Sequence, residues 1–126
     1  MKIYIMNLLE KVEAGVPTAE VRAFQKKYML THKQMAYLLA MSEKGYYNLL
    51  NKDGCLSKIQ SGQFLKVAEV FREGEEALMS KEAFLEWLQQ PHWYFKHKKP
   101  FDLLDTPIGV DAVIEELGRT KYGMLS

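Results

Sequence analysis

Apolar residues at helical spacing run through almost all of the 126 residues, and no other feature limits the fold as strongly. They recur every three or four positions, which places them on one face of a helix, whereas a half-buried strand alternates with a period of two. No alternating segment of useful length competes with this spacing. The sequence therefore predicts an all-α fold whose helix boundaries are set by local signals.

Capping signals divide the first half of the chain into short helices. Gly15 indicates the end of a first helix, and the Pro-Thr pair at residues 17–18 opens a second one. Thr31 and Gln34 have the spacing of a capping box, in which each side chain satisfies a backbone donor of the other residue. Ser42 predicts the start of the next helix.

Longer helices are predicted in the second half. One runs from about residue 57 to residue 73, and Gly74 is expected either to break it or to be a tolerated weak point. Ser80 starts another helix, and Thr106-Pro107 starts the last one, because Pro suits the first helical position. Residues 92–100 are predicted to form a loop.

The charge differs slightly between the two halves. Residues 1–56 contain 8 Lys and Arg against 5 Asp and Glu, whereas residues 57–126 contain 9 against 11. This is the direction expected of a nucleic-acid-facing front half, but the excess is too small to decide the question. The single cysteine, Cys55, excludes an intrachain disulfide and favours a reducing cytoplasm. No apolar run is long enough to span a membrane.

Two short predicted helices, residues 31–39 and 42–51, have the spacing of a helix-turn-helix motif. Ala36 is small enough to let the second helix approach, and Ala40-Met41 forms the turn. The second helix would enter the major groove of DNA. The side chains expected to contact bases or phosphates are Lys33, Ser42, Glu43, Lys44, Tyr47 and Asn48.

This motif leaves a structural alternative open, because an ordinary helical hairpin with a polar outer face has the same pattern. The presumed recognition helix contains no Arg, and Glu43 lies near its start, so a single copy is expected to bind DNA weakly. A dimer that presents two such helices one DNA turn apart would strengthen the binding.

No pattern in the chain predicts catalysis, a metal site or a cofactor. There is no nucleophile motif or glycine-rich phosphate loop, and the carboxylates at 73–76 have no partner placed for acid–base chemistry. His92 and His97 are far in sequence from the only cysteine, and we expect them to be solvated rather than zinc ligands. The basic residues at 96–99 fit a solvated loop, or a contact with DNA or an acidic protein surface.

An ordered series of short motifs occupies the second half. Trp-Leu-x-x-Pro spans residues 87–91 and Pro-x-Asp-Leu-Leu-x-Thr spans residues 100–106, followed by Gly109 and, near the end, Tyr122-Gly123. In this order and spacing, the motifs resemble the toxin-binding domain of the Xre/MbcA/ParS antitoxin family, over roughly residues 60–125. The helix-turn-helix ahead of them is similar to the Xre-like N-terminal half of that family.

The resemblance implies a homodimeric antitoxin of a type II toxin–antitoxin system. Its RES-domain toxin would degrade NAD, and the antitoxin would occlude the toxin's active site with its last helix and tail. Its helix-turn-helix would repress its own operon. Residues 1–56 would be the DNA-binding region, and residues 57–126 the toxin-binding and dimerisation domain. The implied toxin-binding residues are Arg119, Lys121, Tyr122 and Gly123.

One segment departs from the family pattern, and two residues have alternative roles. The family usually has a Gly-containing turn before the Pro, whereas this chain has Phe-Lys-His-Lys-Lys at residues 95–99, so the shape of that loop is open. Trp87 is expected in the core rather than on a binding surface. Gly109 lies inside a predicted helix, where close helix packing or a dimer contact would explain it.

Two other functions fit the same sequence. The chain could be a stand-alone helix-turn-helix transcriptional regulator whose C-terminal half only dimerises. It could also be an interaction module that has lost DNA binding. Association with the product of the neighbouring gene distinguishes the antitoxin from the regulator, and substitutions in the second helix of the motif test whether DNA is bound.

Overall fold

The computed structural model describes the backbone of residues 2–125 and the side chains of residues 4–123. Within this part of the chain there are seven α-helices, two short 3-10 turns and no named strand, so the all-α prediction is confirmed. The 3-10 turns are Trp93–Phe95 and Pro100–Leu103. The α-helices are α1 (Lys2–Ala14), α2 (Thr18–Lys27), α3 (His32–Leu38), α4 (Glu43–Leu50), α5 (Lys58–Leu78), α6 (Lys81–Leu88) and α7 (Pro107–Leu125).

The chain divides into two compact units, Met1–Leu65 and Lys66–Ser126. The first unit contains α1 to α4, the second contains α6 and α7, and the division falls inside α5. Among the described residues, none of the helices combines the length and the apolar character needed to cross a membrane.

Local capping sets the helix boundaries of the first unit. Thr31 Oγ1 accepts a hydrogen bond from Gln34 N (3.0 Å) while Thr31 N donates to Gln34 Oε1 (2.9 Å), which confirms the predicted capping box. Gly15 follows the last residue of α1 with a left-handed φ of 82°, as a helix-ending glycine does. Ser57 and Gln60 form a second capping box at the start of α5.

Apolar burial in the first unit is concentrated outside α1. The small Ala36 is buried, which confirms its predicted place between closely packed helices. By contrast, four apolar residues of α1 are between 43% and 50% exposed; they are Tyr4, Ile5, Met6 and Leu9. The buried apolar residues of this unit are Val16, Val21, Tyr28, Met35, Ala36, Leu38, Leu39, Tyr46, Leu56 and Phe64.

Gly74, in the second unit, leaves room for an aromatic ring. α5 continues through Gly74, so the predicted alternative of a break at this residue was wrong. A Cβ at Gly74 would lie 2.0 Å from the ring of Phe84, which is fully buried and packs edge-on against Phe71. This packing offsets the helix-propensity cost of glycine, which is about 1 kcal/mol relative to Ala.

A second glycine in this unit, Gly109, is required by a nearby backbone carbonyl. α7 begins at Pro107 as predicted, and Thr106 Oγ1 accepts a hydrogen bond from Gly109 N (3.1 Å). A Cβ at Gly109 would lie 1.8 Å from Leu103 O, in the turn just before α7. The close approach is therefore to a backbone carbonyl, and neither of the two explanations offered from the sequence is required.

The core of the second unit is formed by apolar residues of α5, α6 and α7 and of the segment between α6 and α7. The stripe of α7 is buried at Val110, Val113 and Leu117. α6 begins at the predicted cap, where Ser80 Oγ accepts a hydrogen bond from Ala83 N (2.9 Å). The buried apolar residues are Val67, Val70, Phe71, Ala77, Phe84, Leu88, Phe95, Phe101, Leu104, Val110, Val113 and Leu117.

Candidate functional site

The first candidate surface lies on the pair of short helices α3 and α4, which pack against each other. A four-residue link, residues 39–42, joins them. Ala40 has a left-handed φ of 54°, which reverses the chain between the two helices. Ser42 Oγ accepts a hydrogen bond from Gly45 N (2.9 Å), so the predicted cap of α4 is confirmed.

All six residues that we expected to contact DNA are exposed in the structure. Four of them lie on α4 within an arc of about 140°, because each helical residue advances by about 100°. These four are Glu43, Lys44, Tyr47 and Asn48. Ser42 precedes them at the helix start, and Lys33 lies on the first turn of α3. The geometry therefore offers one continuous polar face on α4, with a Lys on a separate helix.

A polar network around the buried Tyr46 holds the opposite face of α4. Tyr46 is fully buried, and its hydroxyl donates to Gln25 Oε1 at 2.5 Å. Gln25 Nε2 donates to Leu30 O (3.0 Å) and lies 2.9 Å from His32 Nδ1, while the His32 ring packs edge-on against Tyr46. Burial raises the pKa of Tyr46 to about 12, against a smaller opposing effect of Arg22. The network fixes how α4 is oriented against α2 and α3.

Sequence reasoning found only part of this network. The helical spacing places Tyr46 on the inner face of α4, but no sequence pattern singles out Gln25 or His32. No local signal could have linked them, since Gln25 and Tyr46 are separated by 21 positions. A further buried amide, Gln63 Nε2, donates to Leu38 O (3.0 Å) and satisfies a carbonyl at the end of α3.

The second candidate surface lies at the end of α7. The resemblance implied a helix followed by a tail, but α7 continues to Leu125, so the residues assigned to the tail are helical. Arg119, Tyr122 and Gly123 are three and four positions apart and share one face of the helix. Lys121 points elsewhere, and its Nζ lies 2.5 Å from Glu76 Oε1 on α5. The structure thus brings three of the four expected residues together and separates Lys121 from them.

The ion pair of Lys121 is an exposed one. The hydrogen bond between the two side chains lowers the pKa of Glu76 below its ordinary value and raises the pKa of Lys121 above its own. Both side chains remain largely in contact with water, so the pair contributes little to stability. Its main effect is to direct Lys121 towards α5.

Arg119 is held in place on two sides. Its Nη2 and Nε donate to Glu116 Oε2, at 3.0 and 3.3 Å. Its guanidinium also lies 4.2 Å from the centroid of the Tyr94 ring, within the range of a cation–π contact. Sequence reasoning missed Tyr94, because it lies in the segment expected to be a loop, 25 positions before Arg119.

That segment is an ordered turn. His92 N donates to Lys98 O (3.0 Å), and His97 N donates back to His92 O (2.9 Å) around the Trp93–Phe95 turn. Lys96 and His97 have left-handed φ angles of 55° and 67°. The predicted loop is therefore confirmed, and its shape is that of an ordered turn around Trp93–Phe95. Lys96 and His97 thus adopt the left-handed backbone that glycine adopts most easily, although neither is a glycine.

Trp87 and His92 also differ from expectation. Trp87 is only partly buried; its ring stacks on Phe84 with centroids 6.3 Å apart. His92 is partly buried between Trp87 and Trp93, and its Nδ1 accepts a hydrogen bond from Tyr94 N (3.1 Å). It is a structural residue of the turn rather than a solvated one. Within the described part of the chain, no group of three or more His, Cys, Asp or Glu residues could hold a metal ion.

Comparison with protein families identifies most of the second unit. Residues 67–123 match the family described as the antitoxin Xre/MbcA/ParS C-terminal toxin-binding domain. Over this region the chain is therefore similar to an antitoxin-type, toxin-binding domain. The match confirms the resemblance to the Xre/MbcA/ParS family found in the sequence. Comparison with curated protein sequences returned no significant match.

Proposed function

We propose that the chain is the antitoxin of a type II toxin–antitoxin system and neutralises a RES-domain toxin that degrades NAD. The observation that supports this most strongly is the toxin-binding family match over residues 67–123. We further propose a cytoplasmic homodimer that represses its own operon through α3 and α4. Neutralisation would be steric, with no chemistry performed by this chain.

The proposed toxin contact is the face of α7 that carries Arg119 and Tyr122. Tyr122 is 73% exposed, and Arg119 is held ready by Glu116 and Tyr94, so this face offers an aromatic ring and a fixed cation to a partner's cleft. A carboxylate on the toxin would pair with Arg119 through charge-assisted hydrogen bonds. Gly123 completes the face without adding bulk.

Deletion of residues 119–126 tests this placement. The shortened chain should dimerise but protect cells poorly when the product of the adjacent open reading frame is expressed. Arg119→Ala should weaken toxin binding more than Lys121→Ala, because Lys121 is directed towards Glu76. If the shortened chain neutralises the toxin as well as the full chain does, the contact lies elsewhere.

DNA binding by α4 is the second half of the proposal. It is supported by the exposed polar face of α4 and by the capped four-residue link between α3 and α4. The double substitution Lys44→Ala with Asn48→Ala should reduce affinity for the operon's own promoter DNA, and lower the salt dependence of binding, because a phosphate contact is lost. Lys11→Ala, an exposed Lys on α1, is the matched control. Equal affinity of both variants would exclude α4 as the DNA-reading element.

A stand-alone transcriptional regulator remains the alternative to an antitoxin. Co-expression with the product of the neighbouring gene separates the two. A stable hetero-complex supports the antitoxin, whereas a free dimer that binds promoter DNA tightly and ignores the neighbour's product supports the regulator. Light scattering of the chain alone measures the proposed dimer directly.

A further inference from the structure

The turn of residues 92–99 exposes an aromatic side chain that the fold does not use. Trp93 is 75% exposed, although an indole contributes more apolar surface than any other side chain. Tyr94, next to it, is 45% exposed. Isolated exposed apolar residues are common, but two adjacent aromatic rings on one turn form a patch of the kind found at interaction sites.

The turn that carries Trp93 is rigidly built. Phe95 is 8% exposed and anchors the turn in the core of the second unit. The Trp93 ring stacks on His92 with centroids 6.1 Å apart, and His92 in turn packs against Phe95 at 5.4 Å. The backbone hydrogen bond from His92 N to Lys98 O (3.0 Å) closes the turn. Trp93 is therefore held in a defined position, and binding would lose little side-chain freedom.

The backbone of the turn is also strained. Lys96 and His97 both adopt left-handed φ angles, which are unfavourable for side chains other than glycine. Their own side chains are exposed, so burial does not compensate this cost. A strained and exposed turn that presents an unburied Trp is typical of a functional element rather than a structural one.

The turn is continuous with the proposed toxin contact on α7. Tyr94 packs its ring under the Arg119 guanidinium at 4.2 Å. Trp93 and Tyr94 are themselves in ring contact, with centroids 5.8 Å apart. The result is a row of Trp, Tyr and Arg, the three residue types most enriched where protein interfaces gain their binding energy.

The charge of the turn indicates the chemistry of its partner. Lys96, Lys98 and Lys99 are exposed, and no Asp or Glu occurs from residue 87 to residue 101. They follow the aromatic pair within five positions of the sequence, while Arg119, under which Tyr94 packs, is paired with Glu116. A complementary surface would present an apolar pocket for the indole, rimmed by carboxylates.

We propose that Trp93 and Tyr94, with the lysines that follow them in the sequence, form a second toxin-binding element that inserts the Trp93 indole into an acid-rimmed apolar pocket of the toxin. The inference rests on the proposed antitoxin function and extends its contact beyond α7. Double-stranded DNA is the less suitable partner, since phosphate contacts use the Lys and Arg side chains and do not require an exposed indole.

The test compares single substitutions in the full chain for binding to the toxin encoded by the neighbouring gene, by calorimetry or surface binding. Trp93→Ala should weaken the complex about 30-fold or more, the loss typical of a central interface residue. Trp93→Phe should recover part of that loss. The matched control is Ile59→Ala, since Ile59 is 86% exposed but lies in the first unit; it should leave affinity unchanged.

A second readout reports on the indole itself. The chain has two Trp residues, so incorporation of fluorotryptophan gives two fluorine NMR signals, and Trp93→Phe identifies the one from Trp93. Addition of unlabelled toxin should shift the Trp93 signal more than that of Trp87, which is already partly buried. Denaturation curves of each variant confirm that the exposed substitutions leave the fold intact.

The possible results distinguish the proposed antitoxin function from the proposed second toxin-binding element. If the unaltered chain binds the toxin and Trp93→Ala binds it equally well, the second element is wrong and the antitoxin function stands. If the unaltered chain does not bind the toxin, both are wrong. If Trp93→Ala reduces affinity for promoter DNA and leaves toxin binding unchanged, the turn is a nucleic-acid contact and the inference is overturned.

Discussion

The two units of this chain orient their exposed candidate residues by different means. In the first unit, α4 is positioned by hydrogen bonds between side chains that are distant in sequence, centred on the buried Tyr46 and the half-buried Gln25. In the second, the Trp93 turn is positioned by backbone hydrogen bonds between near neighbours and by stacked rings. A hydrogen-bond network depends on each member, because loss of one leaves another unsatisfied. Stacked rings are held by many weak dispersion contacts, so no single contact is essential.

The need for glycine is local and does not separate the two units. In the first unit, a Cβ at Gly15 would lie 2.9 Å from Leu56 O, and in the second a Cβ at Gly74 or Gly109 would lie 2.0 Å or less from a ring or a backbone carbonyl. By contrast, the link between α3 and α4 turns at Ala40 without a glycine. Gly74→Ala and Gly109→Ala should therefore destabilise the chain, whereas Ala40→Gly should stabilise it.

The largest expected effect is that of Gly109→Ala. The new Cβ would collide with Leu103 O, which belongs to the backbone and cannot rotate away. We expect the free energy of unfolding to fall by about 2–3 kcal/mol, as for other overpacked sites. Urea denaturation measures this loss, and toxin binding should weaken with it.

Gly118→Ala is the matched control in the same helix. Nothing lies within 4 Å of the Cβ position of Gly118, so the substitution should stabilise α7 by about 0.5–1 kcal/mol through helix propensity. If both substitutions destabilise the protein, the Leu103 carbonyl is not the cause, and α7 fails to tolerate added side chains for another reason.

Tyr46→Phe should have the next largest effect and acts on the first unit. Removal of the hydroxyl leaves Gln25 Oε1 without its buried donor, which should cost about 1–2 kcal/mol of unfolding free energy. Affinity for promoter DNA should fall as well, because α4 loses its main orienting contact. Tyr47→Phe, one residue along on the exposed face, should leave stability nearly unchanged.

The raised pKa of Tyr46 adds a test at high pH. The phenol titrates near 10 in the unfolded chain and at about 12 in the folded one. The unfolded state therefore loses its proton first, and the contribution to stability, full below pH 10, is lost as the pH rises towards 12. Tyr46→Phe should remove this part of the alkaline destabilisation. An identical alkaline limb in both proteins would contradict the assignment.

Smaller effects of the opposite sign, gains in stability, are expected when glycine replaces a residue that has a left-handed φ. Ala40→Gly and Lys96→Gly should each stabilise the chain by about 0.5–1 kcal/mol, because relief of strain exceeds the added entropy of glycine in the unfolded state. Ala23→Gly, in the middle of α2, should instead destabilise it by about 1 kcal/mol. Thermal denaturation of the three variants provides the comparison, and a loss of stability in all three would show that the turns are unstrained.

The smallest effect is expected at the Lys121–Glu76 pair. The pKa of Glu76 is lowered, so its contribution is present at neutral pH and is lost as the pH falls through the folded value. The pKa of Lys121 is raised, so the same contribution is lost at high pH, as the pH rises through the folded value of Lys121. Glu76→Gln should change stability slightly at pH 7 and not at all in high salt, because exposed pairs are screened. A large loss in high salt would contradict this.

The sequence by itself determined the helix boundaries that depend on local hydrogen bonds. The caps at Thr31, Ser42, Ser80 and Thr106 were all predicted correctly, since each satisfies a backbone N–H only three positions away. The apolar stripes of α3 and α7 were equally predictable, because helical periodicity alone decides which residues share a face. Motif order was enough to indicate the toxin-binding domain, since it does not depend on geometry.

Tertiary structure decided everything that depends on atoms far along the chain. Gly74 stays helical because of Phe84, Lys121 is directed away from Arg119 by Glu76, and the Trp93 turn meets α7 through Tyr94. No local pattern encodes these contacts, because each joins residues brought together only when the helices pack. Sequence order decides the partners of a cap, whereas helix packing decides the partners of a ring or an ion pair whose members are far apart in the sequence.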